Sequence, residues 1–148
     1  MNTVIKFNSF ISILLLFSLF TLFNEVTALA IQNRAGVPEN FCDGFGFTTP
    51  KAGAELINGT ETNVVWTKGK SLVTEIYDLE LFNENGDFVS SLWDKGISFG
   101  SGEEALLSLT LEVPSSATLP GKFMFRSWAT HDGGPDCFRL SEVFTINP

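Results

Sequence analysis

The chain has 148 residues, a formal net charge of −8, two cysteines and a single histidine. That acidic balance excludes partners that require a basic patch, so neither nucleic acid nor an anionic membrane surface is expected. The length left after any leader suits one domain with one core and is too short for two.

At the start, Lys6 precedes an apolar run from Phe10 to Phe23 and the small-residue tripeptide Ala28-Leu29-Ala30. This is the pattern of a secretory signal peptide over residues 1–30, with the mature chain beginning near Ile31. A spanning anchor is the alternative, but the apolar run falls short of the roughly 20 residues a membrane helix needs. Five of the 15 Phe leave with the leader, and ten stay to build a core with Trp66, Trp93 and Trp128. Lys6 and Glu25 cancel, so the mature charge is still −8. Residues 31–46 read as a lead-in carrying Cys42, and residues 47–148 as the domain.

From Gly44 onward, short alternating segments are bounded by Gly, Pro, Asn, Asp and Ser, and no helical period is sustained. This is the grammar of an all-β sandwich, here of about seven strands. Phe45 to Thr49 and Glu55 to Ile57 read as edge pieces separated at Pro50, which cannot donate to a ladder. Thr62 to Thr67 places Val64 and Trp66 on one face, with Trp66 as the floor of the core. Glu75 to Phe82 reads as one strand, with Tyr77, Leu79 and Leu81 on one face and Ile76, Asp78, Glu80 and Phe82 on the wet face. Asn83 to Asp87 contains Asn-Gly, the strongest short hairpin signal, and returns the chain into Phe88 to Trp93. After the glycine-rich Gly96 to Gly102, Leu107, Leu109, Leu111 and Val113 alternate with polar residues. Lys122 to Ala129 sets Phe123 and Phe125 against Met124, Arg126 and Trp128. Glu142 to Ile146 reads as the last strand.

Two cysteines, Cys42 and Cys137, in an oxidising compartment predict one disulfide, with free thiols or an intermolecular bridge as the alternatives. Closing a loop of roughly 95 residues contributes up to about 4 to 5 kcal/mol in the chain-entropy model. This staple is expected to hold the first and last strands together. Asn58-Gly59-Thr60 is an N-glycosylation sequon, whose bland alternative is a plain Asn-Gly hairpin turn.

Thr49-Pro-Lys-Ala-Gly-Ala-Glu-Leu-Ile-Asn-Gly59, Val65-Trp66, Tyr77-Asp-Leu-Glu-Leu-Phe82, Val113-Pro, Leu119-Pro-Gly-Lys-Phe-Met-Phe-Arg-Ser-Trp128 and Ser141-Glu-Val-Phe-Thr-Ile146 follow one another in order. Together they resemble the fungal cell-wall-assembly (Kre/Knh-like) immunoglobulin-like domain, the N-terminal module of yeast proteins required for β-1,6-glucan synthesis. The resemblance covers about Phe47 to Ile146. It implies an immunoglobulin-like or fibronectin-III-like β-sandwich, a secreted, extracellular or cell-wall setting in a fungus, and a non-catalytic role. The chain departs from longer relatives in showing no Ser/Thr-rich stalk and no lipid-anchor signal after Asn147-Pro148, so no membrane anchor is expected.

Chemistry-bearing residues are sparse. His131-Asp132-Gly-Gly-Pro-Asp136 is the one place where a histidine lies near carboxylates, and a lone His falls short of a zinc ligand set. The residue expected at the processed N-terminus is Ile31, where a copper monooxygenase needs histidine. No Gly-x-Ser-x-Gly elbow accompanies the single His, which removes the basis for a Ser-His-Asp hydrolase. Glu103-Glu104 and Asp78 with Glu80 are carboxylate pairs that could flank a glycosidic bond, but they read as solvated faces. No catalytic residue, metal or cofactor is therefore expected. Trp93, Tyr77, Phe88 and Trp128 are the candidate ligand face, because exposed rings stack on flat apolar surfaces. Trp93 is the leading choice, since it ends a strand beside Asp94. The expected partners are a cell-wall polysaccharide such as β-glucan or, alternatively, another surface protein or a host-directed target.

Overall fold

A computed structural model describes residues 41–131 and 134–148. The signal-peptide reading over residues 1–30 and most of the 31–46 lead-in lie outside the described residues. Eleven strands are present: β1 (Gly46–Thr49), β2 (Glu55–Ile57), β3 (Glu61–Thr67), β4 (Glu75–Ile76), β5 (Leu79–Asn83), β6 (Phe88–Trp93), β7 (Ile97–Ser98), β8 (Glu104–Thr110), β9 (Gly121–Thr130), β10 (Cys137–Leu140) and β11 (Phe144–Asn147). The smaller sheet has the order β1-β3-β8. The larger one is built around β9, with β10 and β11 along one side and β4 and β5 along the other. β6 and β7 continue it beyond β5 and β4, and β2 joins parallel to β11. Two sheets closing over one apolar layer in this order make an all-β sandwich of immunoglobulin or fibronectin-III type.

The count of eleven falls to eight, close to the seven expected, once it is seen that three long runs are each interrupted. β4 and β5 are one run with an extra residue. Ile76 pairs with Ala129 and Glu80 with Arg126, so four residues advance on one strand against three on the other. A one-residue bulge reverses which side chains face inward. Ile76 is accordingly buried with Leu79 and Leu81, which corrects the reading of Ile76 as part of a wet face. β10 and β11 repeat the device on the other side of β9: Leu140 pairs with Arg126, but Phe144 pairs with Phe123. β6 and β7 form the third interrupted run, parted at Asp94-Lys95-Gly96.

Each bulge beside β9 removes a ladder acceptor, and a side chain replaces it. Asp78 Oδ1 accepts the Trp128 N–H at 2.7 Å, and Ser141 Oγ accepts the Phe125 N–H at 2.9 Å while donating to Glu142 O at 2.8 Å. The central strand thereby keeps both donors satisfied, one buried and the other half-buried.

Trp66 lies fully buried at the centre, 5.5 Å from the Phe47 ring, and Phe125 packs on Phe144 at 4.6 Å. Pro50 follows β1 with a cis Thr49–Pro50 bond, and there the chain leaves the small sheet for the large one. Asn58-Gly59 is not a hairpin turn. It carries the chain from β2 in one sheet to β3 in the other, with Gly59 at φ 77° donating to Leu111 O at 2.7 Å.

Cys42 and Cys137 form the disulfide, with Cα atoms 5.7 Å apart. It joins the turn before β1 to the start of β10, so it does not reach the last strand, contrary to the expectation above. Arg139 reinforces the junction. Its Nε donates to Phe45 O at 2.9 Å and its Nη2 to Cys42 O at 3.0 Å. The same turn presses its Gly44 backbone against Gly69, where a Cβ would meet Gly44 O at 2.5 Å.

Candidate functional site: an aromatic ladder ending in a polar groove

Strand alternation on the larger sheet sends Phe123, Phe125, Ser127 and Ala129 into the core and leaves Met124, Arg126 and Trp128 on the outer face. Their neighbours on that face come from three other strands. Phe138 on β10 stacks on Trp128 with centroids 5.1 Å apart and planes at 44°. The Arg126 guanidinium lies 5.8 Å from the Trp128 centroid and 4.5 Å from that of Phe82. Phe82 meets Phe88 edge-on, at 5.7 Å and 77°. A continuous ladder therefore crosses the sheet as Phe138, Trp128, Arg126, Phe82 and Phe88. Glu80 holds its cation in place, accepting from Arg126 Nε at 2.7 Å and pairing with Nη2 at 2.6 Å. Cation–π contact and a partly buried ion pair together make the row a stiff surface.

The ladder ends in a groove of about 420 Å³ between the Asn83–Asp87 hairpin, the turn at Ser116-Ala117-Thr118 and the start of β9. Phe88, 57% exposed, is its aromatic wall. The other walls are largely polar: Glu84 and Lys122, paired at 3.7 Å, with Asn85, Ser116 and Thr118. Asn83 shapes the hairpin, its Oδ1 accepting the N–H groups of Asn85 and Asp87 at 3.0 and 2.9 Å.

Of the four candidate aromatics, Phe88 and Trp128 belong to this ladder and Trp93 does not. Trp93 pairs with the buried Leu79 and packs against the core, with Lys95 5.4 Å over its ring. Tyr77 sits in the β4–β5 bulge, where its N–H donates to Trp128 O at 3.0 Å. Burial, followed by the charges of Asp136, Asp78 and Glu80, pushes its phenol above the usual range, so the hydroxyl stays protonated. Burial likewise raises Asp78, against the lowering effect of its bond from the Trp128 N–H.

Arg126 was missed from the sequence, although a signal existed. Glu80 with Phe82, and Arg126 with Trp128, each stand two apart on neighbouring strands, the spacing that puts a cation and rings on one face.

The carboxylate pair Asp78 and Glu80 is committed elsewhere, one to a backbone N–H and the other to Arg126. His131 is half-buried with its ring 6.1 Å from Phe41, and Asp132 lies outside the described residues. Among the described residues no three His, Cys, Asp or Glu groups come together to hold a metal. Asn58 is half-buried, and its Oδ1 accepts the Val113 N–H at 2.9 Å. No described helix is long and apolar enough to cross a membrane.

No family model matches the chain, and no curated protein matches it. Among solved structures it is similar to the fibronectin(III)-like modules of CbhA from Clostridium thermocellum, at 16% identity and a TM-score of 0.40. That similarity covers 70% of this chain and 45% of the other, so this chain spans less than half the length of the structure it matches.

Proposed function

We propose that this chain is a non-catalytic, secreted module of the cell surface or wall that holds a polysaccharide of β-linked hexoses, with β-glucan the expected polymer. The observation that carries the reading is the exposed Phe88 ring lining a largely polar groove of about 420 Å³. A hexose in such a chain offers an apolar C–H face to a ring and hydroxyls to amide, carboxylate and ammonium groups. Asn85, Glu84 and Lys122 supply those groups here. The fungal wall setting belongs to the same proposal and rests on the resemblance given above.

The ring geometry also favours one form of the polymer within this proposal. Rings inclined by 44° and 77° do not make a flat platform, so the outer face is poorly shaped for crystalline chitin or cellulose. A single soluble chain entering the groove is the better fit. The test is calorimetric titration of β-1,3- and β-1,6-gluco-oligosaccharides, with sedimentation against insoluble glucan, chitin and cellulose alongside. Phe88→Ala is expected to weaken oligosaccharide binding at least tenfold, while Trp93→Ala leaves it unchanged. No binding to any glucan, or equal binding by Phe88→Ala, would overturn the reading.

A further inference from the structure

The smaller sheet has an open side. β8 runs in unbroken register with β3, from Glu61↔Thr110 to Thr67↔Glu104, and has no hydrogen-bonded strand beyond it among the described residues. Leu111 faces β3, donating to Thr60 O and accepting from the Gly59 N–H. By the two-residue alternation of an antiparallel pair, the main-chain groups of Leu106, Ser108 and Thr110 then point away from β3. The same residues turn their side chains to solvent, with Leu106 59% exposed, the highest value among the described large hydrophobics.

Natural sheets blunt such edges with lysine, proline, a bulge or an inward charge. Glu-Ala-Leu-Leu-Ser-Leu-Thr carries none of these inside the strand, and no register shift interrupts it. Constant-type immunoglobulin sandwiches fill the corresponding place with a fourth strand. Among the described residues no strand takes that position.

Charge identifies what fits there. Glu103 and Glu104 stand exposed at one end of the edge, and Glu112 stands exposed at the other. A second copy pairing antiparallel would bring Glu112 toward Glu103 and Glu104, between two chains each of net charge −8. A segment with basic ends meets attraction at both ends instead.

We infer that the β8 edge is a strand-addition site for an extended segment of a protein partner, with small or apolar residues in alternation and lysine or arginine at its ends. Main-chain bonds to Leu106, Ser108 and Thr110 supply the register, and the exposed Leu106 side chain offers an apolar contact on the outer face. This site is separate from the groove and does not depend on it.

The experiment uses the folded, disulfide-bonded chain and a displayed library of random peptides. Selected sequences are expected to alternate and to carry basic ends, and their affinity should fall at least tenfold with Ser108→Pro. That change removes an N–H on the open side and leaves the β3 ladder intact. Leu106→Lys is the second variant, expected to act in the same direction, and circular dichroism establishes that both fold. Failure to enrich peptides, enrichment of acidic ends, or undiminished binding to Ser108→Pro would each overturn the inference. So would a concentration-dependent dimer abolished by Ser108→Pro, since the occupant would then be a second copy.

Discussion

Replacing Asp78 with alanine tests the idea that the bulges flanking β9 are held by side-chain acceptors. The substitution leaves the Trp128 N–H, now bonded at 2.7 Å, without a partner beside a half-buried ladder. A buried donor stranded in this way costs about 1–3 kcal/mol. For a domain of this size each kcal/mol moves Tm by about 4 °C or more, so a fall of roughly 4–12 °C is expected. Asp78→Asn keeps an oxygen at the same position and removes a charge that burial disfavours, so its cost should stay below about 1 kcal/mol. Both variants also separate from the wild type in their pH dependence, because neither carries a titrating group at position 78. Because burial raises Asp78 above its ordinary range, the folded chain binds that proton more tightly than the unfolded chain. The resulting stability is fully present below the ordinary Asp value and is lost as pH rises through the raised one. Asp78→Asn should therefore give a flatter curve of stability against pH across that window. Thermal unfolding of the three proteins from acid to neutral pH is the assay. An alanine variant within about 2 °C of the wild type, or an asparagine variant as weak as alanine, would refute the reasoning.

Three further outcomes follow from the packing. Gly69→Ala places a Cβ 2.5 Å from Gly44 O at a positive φ, and should cost about 2–4 kcal/mol in urea unfolding. Replacing both Cys42 and Cys137 with serine opens a 95-residue loop and should remove up to about 4 to 5 kcal/mol, read from the same titration. Asn58→Ala should cost about 1 kcal/mol in protein made without glycans, because the Val113 N–H loses its acceptor. A glycan-dependent effect at Asn58 would instead appear only in glycosylated material.

Periodicity revealed much of the sandwich. Phe88–Trp93 and Glu55–Ile57 have the bounds the alternation predicts, and Val64 and Trp66 are buried as their spacing requires. Where the reading failed, the cause was a single inserted residue. Tyr77-Asp78 contains no glycine or proline to mark a bulge, so a count by twos carried Ile76 to the wrong face. Ser141 hid its bulge in the same way, and the strand Cys137–Leu140 was absorbed into a loop. Trp93 stands apart from the ladder for a different reason: the sequence does not reveal that its cross-strand partner is the buried Leu79. The groove was beyond reach for a related reason, since its walls come from segments some 30 residues apart that only the closed sheet brings together.

The junction of Cys42, Arg139 and Cys137 bears on the order of events during synthesis. The Cys42 thiol emerges early, and its mate follows 95 residues later. Until then the Cys42 thiol lacks the partner it has in the folded domain. Arg139 appears two residues after Cys137 and reaches back to the carbonyls of Cys42 and Phe45. Oxidation and docking of the leading turn therefore both wait for the same closing strand. Until the closing strand arrives, the early thiol is open to mixed disulfides.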